Sequence, residues 1–283
     1  MGETLYFGII FFFLLGSLRS VQAPLQLGFY SKNCPRAEKI NQDFVNTHIH
    51  NAPSLAAALV RMHFHDSFVR GCDSSVLLNS TSNNQAEKDA PPNLTLISGF
   101  DFVDRVKSLV EAECPGMVSC AVTHGGPFWR FPTGRRDGTI SNSTEALNNI
   151  PPPFGAHTIG VSHCSSFSNR LYNFTGVGDQ DPTLDSNYIN PNDNTTKVGM
   201  DPGSHNTFDL SYYSLLLKRR GLFESDAALT TNPTTKSFVT QLLQGPLQNF
   251  YDVFAKSMDK MGCINAKTGS TGEIRKQCAV VNS

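Results

Sequence analysis

Between Leu59 and Asp73 the chain crowds guanidinium, imidazole and carboxylate groups into fifteen residues, Leu59-Val-Arg-Met-His-Phe-His-Asp-Ser-Phe-Val-Arg-Gly-Cys-Asp73. Read as a helix running into a loop, this stretch sets Arg61 and His65 one turn apart on the same face. A fixed cation beside a neutral imidazole suits an enzyme that takes a proton from a small substrate and then stabilises the negative charge that develops. The same spacing also occurs on plain solvated helix faces. His63-Phe-His65 with Asp66 spells a second pattern, the His-X-His cluster of metallohydrolases. Alternate residues of a helix point to different faces, however, and no other ligand cluster supports it.

The elements that must position these groups are mostly helical. Ala37 to His50 and Ser54 to Phe68 read as helices, and the second carries the opening motif. Phe102, Val103, Val106, Leu109 and Val110 recur at helical spacing, predicting an amphipathic helix that ends near Cys114-Pro115-Gly116. Residues 125–153 are dominated by Gly, Pro, Asn, Ser and Thr and predict turns and short extended pieces. Residues 155–173 read as a helix with His157, Val161 and Cys164 on one face, and 176–206 as loop. Three helices follow at 209–220, 234–243 and 247–261, with Gly221 and Gly262 as stop signals. The expected fold class is all-α.

With 283 residues and a formal net charge of -1, a single folded unit is expected over 24–283, with no electrostatic case for nucleic acid or a membrane surface. Residues 5–15 are almost wholly apolar, with small residues near Ser20 and Ala23, which predicts a secretory signal over 1–23 and no membrane association after its removal. Sequons at Asn79, Asn93, Asn142, Asn173 and Asn194 agree with export. Export makes the seven cysteines candidates for disulfides, and an odd number leaves at least one outside any internal bridge.

Five ordered blocks, Arg61-Met-His-Phe-His-Asp66, Gly71-Cys-Asp73, Cys114-Pro-Gly-Met-Val-Ser-Cys120, Gly134-Arg-Arg-Asp137 and Gly155-Ala-His-Thr-Ile-Gly160, together resemble the secretory plant haem peroxidases (class III). The resemblance implies a two-lobed fold with haem b held between distal and proximal helices. It implies a monomeric, secreted enzyme, in the apoplast rather than the vacuole, that reduces hydrogen peroxide and oxidises phenolic donors by one-electron steps. His65 then corresponds to the distal base and Arg61 to the group that stabilises the leaving hydroxide. Asn93 fixes the distal imidazole's tautomer, and Phe64 covers the haem edge. His157 corresponds to the axial iron ligand, and Asp226 to the carboxylate behind it that strengthens its donation to iron. Pro151 matches a proline at the opening where donors reach the haem edge, although a stiff turn explains it equally.

The resemblance also implies two calcium ions. Asp66, Val69, Gly71, Asp73 and Ser75, with Glu87 through water, match a distal site; Thr158, Asp201, Ser204, Thr207 and Asp209 match a proximal one. Of the disulfides, Cys34 with Cys114 and Cys120 with Cys278 are expected. Ser67 stands where the family has the cysteine that pairs with Cys72, and Cys164 also lacks its family partner, so Cys72, Cys164 and Cys263 are expected outside any bridge. The chain is shorter than the family after Cys120, after Phe154 and near Tyr188 to Asn192, each time by about a helix or a long turn. These losses motivate an alternative expectation, a partly folded inactive isoform.

Overall fold

The computed structural model describes residues 25–123, 131–150, 157–186 and 197–283. The predicted signal, Pro151, Asn194 and the surroundings of the three expected gaps lie wholly or partly outside the described residues.

Among the described residues the chain is helical with one small sheet. Helices α1 (Ala37–Ile49), α2 (Pro53–Val69) and α3 (Ile97–Glu113) build the distal half. Pro53 starts α2 at a position whose N–H needs no helical partner. Along α3 Phe102, Val103, Val106 and Val110 of the predicted stripe are buried together with Phe100, while Leu109, expected among them, is 46 % exposed; burying each side chain is worth about 1.5–3 kcal/mol. Tyr30, Val45, Phe102, Val106, Val110 and Val118 pack one core around the Cys34–Cys114 bridge. Met62, Leu77, Leu96, Phe100 and Val103 pack a second around Cys120–Cys278. Both expected bridges are therefore formed, and Cys72, Cys164 and Cys263 lie outside them.

A short helix inside the stretch read as turns, and a later one at Glu224–Thr231, escape the sequence reading. Helix α4 (Cys120–Thr123) is followed by α5 (Ser143–Asn149), which opens on Asn142, whose Oδ1 accepts from the amides of Thr144 and Glu145. The helix expected over 155–173 is a correction. From His157 the described chain makes a turn, a strand β1 (Val161–His163) and only one helical turn and a half, α6 (Ser168–Tyr172). Gly160 stops a helix there: its φ is +102°, its N–H goes to His205 O at 2.8 Å, and β1 pairs antiparallel with β2 (Lys197–Gly199).

The proximal half adds α7 (Ser211–Leu217), α8 (Glu224–Thr231), α9 (Pro233–Gln244) and α10 (Leu247–Gly262). Phe167, Met200, Leu222 and Phe223 form its smaller core. The segment after α10 returns to the distal half. Gly71, at φ +94°, lets that segment come close, since a Cβ there would sit 2.5 Å from Asn265 Cβ and 2.6 Å from Ile264 O. Beyond it, Arg275 is fully buried, donating to Cys278 O and Ser74 O at 2.7 Å each, while its amide reaches Asp137 Oδ2 at 2.9 Å.

Candidate active site

The expected distal base, His65, is set by α2 and the single turns that precede α3. His65 is 3 % exposed, and its Nδ1 lies 2.5 Å from Asn93 Oδ1. Asn93 is itself buried, and its Nδ2 donates to Glu87 O at 2.7 Å, which fixes the amide with its oxygen toward the imidazole. An amide oxygen only accepts, so Nδ1 carries the proton and Nε2 is the basic nitrogen. Arg61 Nε donates to that Nε2 at 3.2 Å, while its other nitrogens reach Thr95 Oγ1 at 3.1 Å and Pro92 O at 3.0 Å. Burial first, then the Arg61 charge, push His65 down to about 4 against the pull of Asn93, so the imidazole is neutral at neutral pH. Phe64 packs beside it, with ring centroids 5.7 Å apart.

His63 behaves differently. Its Nε2 turns to Met258 O on α10, 3.4 Å away, while His65 faces Asn93. Among the described residues no three His, Cys, Asp or Glu side chains form a metal cluster, so nothing supports the His-X-His reading.

The proximal residues come from the turn before β1 and from the first turn of α8. His157 Nδ1 lies 2.7 Å from Asp226 Oδ1. Asp226 is the third residue of α8, and its Oδ2 accepts from Phe223 N at 2.9 Å, half of a capping box. Burial works against the charge of Asp226, but His157, the Phe223 amide and Tyr212 together hold its carboxyl below the usual range. With Nδ1 committed to Asp226, His157 keeps Nε2 as its one uncommitted ring nitrogen, the donor set a haem iron takes from a protein. The distal and proximal walls meet where Gly160 approaches α2: a Cβ on Gly160 would sit 3.0 Å from Ala57 Cβ.

The expected distal cation ligands are also drawn together. After α2 the chain turns through Gly71 and through Ser74, which has φ +60°. Asp66 Oδ2 accepts from Ser74 N at 2.9 Å and Asp73 Oδ1 from Ser75 N at 3.0 Å. Asp66 Oδ1, Ser75 Oγ and both carboxylate oxygens of Glu87 are buried without a hydrogen-bond partner. Buried oxygens left in that state are costly, and oxygen is the donor a hard cation takes. Burial, then the neighbouring Asp73 charge, raise Asp66 well above its ordinary value, and burial with Asp73 nearby raises Glu87 to about 7. Val69 and Gly71 supply carbonyls already used by Asn149 Nδ2 at 3.4 Å and Asp73 N at 2.7 Å. Lys267 Nζ stands 3.3 Å from Asp73 Oδ2, a cation the sequence reading did not foresee.

On the proximal side Thr158 Oγ1 donates to Asp209 O at 2.6 Å, Ser204 Oγ to Asp209 Oδ2 at 2.7 Å, and Thr207 N to Ser204 O at 2.8 Å. Ser211 Oγ bridges Asp201 and Asp209, so the five expected ligands form one cluster. Ser211 and Tyr212 are the functional neighbours that sequence reasoning missed; neither carries a motif of its own. The Gly134-Arg-Arg-Asp137 block proves architectural: Asp137 accepts from Cys120 N at 3.0 Å and Ala121 N at 2.9 Å, and Arg135 Nε reaches Gly262 O at 2.7 Å.

A family profile described as Peroxidase matches residues 41–155 and 154–245. The two pieces overlap at 154–155, where a segment was expected to be missing. The chain is 58 % identical to Peroxidase 3 of Arabidopsis thaliana over 316 positions, covering 96 % of each chain. It is 57 % identical to Peroxidase 39 of the same plant, covering 98 % and 99 %, and 47 % identical to Peroxidase 1 of Oryza sativa subsp. japonica, covering 92 % and 94 %. The first alignment is longer than the chain's own 283 residues, so parts of that relative stand opposite gaps here.

Proposed function

This chain belongs to the secretory plant peroxidase family, a haem enzyme that consumes hydrogen peroxide, and on that premise we propose that His65, Arg61 and Asn93 are its distal catalytic machinery and His157 its axial ligand. The observation that carries the assignment is the matched pair of imidazoles. Each has Nδ1 held by an acceptor, Asn93 or Asp226, so each carries its lone pair on Nε2, which at His65 accepts from Arg61 Nε.

Haem, when bound, supplies the iron at which the O–O bond breaks and the two oxidising equivalents are held. His65 Nε2 accepts the proton of the bound peroxide and returns it to the departing oxygen, while Arg61, already 3.2 Å from that nitrogen, neutralises the charge as it forms. Asn93 keeps the imidazole in the tautomer that can do this. Asp226 makes His157 a stronger donor and favours bond cleavage over reversible ligand binding. Phe64, packed beside His65, would screen a haem bound there from large reducing substrates. Phenols fit that demand, since they release one electron and one proton without needing to reach the metal, and Pro151 is assigned to the edge opening.

The orphaned oxygens of Asp66, Ser75 and Glu87 support a distal calcium, and the Thr158, Asp201, Ser204, Thr207 and Asp209 cluster a proximal one. Residues 1–23 are assigned as an export signal and 24–283 as one monomeric domain working in the apoplast. Among the described residues no helix is long and apolar enough to cross a membrane.

Haem- and calcium-loaded protein should show a Soret band and peroxide-dependent phenol oxidation. In His65→Ala the band should persist while the rate of reaction with peroxide falls by about 10²–10⁴-fold. An intact band with unchanged turnover would remove His65 as the base.

A further inference from the structure

We propose that Tyr212 is a positioning residue for the proximal pair, competing with His157 for one oxygen of Asp226 and so setting how strongly the imidazole donates to iron. The inference rests on the axial assignment of His157 above.

Asp226 Oδ1 receives two donors, His157 Nδ1 at 2.7 Å and Tyr212 Oη at 2.6 Å. An ionised carboxylate only accepts, so the phenol is the donor. Both bonds are charge-assisted and draw on the charge of the same oxygen, so each weakens the other's claim. The second oxygen is fixed by Phe223 N at 2.9 Å, so Asp226 cannot rotate to give His157 an oxygen of its own. Tyr212 cannot withdraw either. It is 1 % exposed and follows Ser211, whose hydroxyl is held by Asp201 and Asp209.

The ring and the hydroxyl have separable tasks. The Tyr212 ring meets the His157 ring edge-on, with centroids 6.1 Å apart and planes at 85°, and a phenylalanine ring would pack there in the same way. The hydroxyl touches only the electronics of the pair. Without it, Asp226 takes a larger share of the Nδ1 proton, His157 gains imidazolate character, and the ferric state is favoured over the ferrous.

The test uses the haem-loaded protein, with the Fe(III)/Fe(II) midpoint potential and the ferrous Fe–His stretching frequency as readouts. Tyr212→Phe should move the potential to more negative values and raise the stretching frequency. Incorporating 3-fluorotyrosine at 212, a stronger donor of nearly the same shape, should move both the other way. Opposite shifts from two near-isosteric replacements cannot come from packing. Unmoved or same-direction potentials, with the Fe–His band intact, would overturn the role of Tyr212 alone. Absence of an Fe–His band from the wild-type protein would instead remove the axial assignment, and this inference with it.

Discussion

Ser67→Cys should stabilise the protein by closing the bridge that this chain lacks. Ser67 is 1 % exposed, and its Oγ lies directly against Cys72 Sγ, across the turn that carries the chain from α2 into the distal cation loop. Chain entropy for so small a loop gives about 2 kcal/mol. Against this, Ser67 Oγ donates to His63 O at 2.8 Å, and losing that bond costs about 0.5–1 kcal/mol, the carbonyl keeping its helical partner. The net gain is about 1–2 kcal/mol, a rise in Tm of about 2–6 °C for a chain of this size. Thiol titration in denaturant identifies the species measured. Three cysteines lie outside the bridges now; the variant adds a fourth and closure consumes two, so two should titrate. Two titratable thiols with an unchanged or lower Tm would refute the argument that this turn is poised for the bridge. Four would show that the turn is not in the described geometry.

Calcium uptake should release protons below about pH 7, because burial and Asp73 raise Glu87 to about 7 and a cation displaces its proton, with Asp66 raised in the same direction; calorimetry in two buffers of different ionisation enthalpy checks this, and pH-independent affinity would contradict it. By the same linkage the cation-free fold binds more protons at Glu87 than the unfolded chain does, so its stability should fall as pH rises from about 4.5 to about 7. The rate of reaction with peroxide should hold down to about pH 4 before the protonation of His65 cuts it, and an acid limb near 6.5 would mean the imidazole is not buried as described. The Asn93 sequon should carry no glycan, since both amide atoms are engaged in a buried site; a glycopeptide containing Asn93 would overturn that geometry. Arg275→Met should cost about 3–5 kcal/mol in denaturant unfolding by removing the cation that faces buried Asp137 and the donors to Ser74 O and Cys278 O, and a loss under 1 kcal/mol would mean Arg275 is solvated.

The parts of the molecule legible in the sequence are those whose signal is local. Helix α3 announced itself through an apolar stripe, whereas the two bridges and the His65–Asn93 and His157–Asp226 pairs followed only from the family resemblance that the ordered motifs carry. Helix α5 was hidden because its seven residues bury only Ser143 and Ala146, too few to make a period. The His157 segment was misread because apolar spacing says nothing of a partner strand at 197–199 or of the left-handed turn at Gly160. Tyr212 and Arg275 were invisible for another reason: each works through partners distant in sequence, Asp226 fourteen residues on and Asp137 138 residues back.

The Cys120–Cys278 bridge also governs how the chain must be made. At ordinary synthesis rates Cys278 emerges about 8–30 s after its partner, 158 residues earlier. Cys164 and Cys263 pass into the same oxidising space during that interval, and Cys72 is already there. Until the tail arrives, every bond Cys120 makes is the wrong one and has to be reversed by thiol–disulfide exchange. The yield of correctly folded protein should then depend on the supply of disulfide isomerase during synthesis.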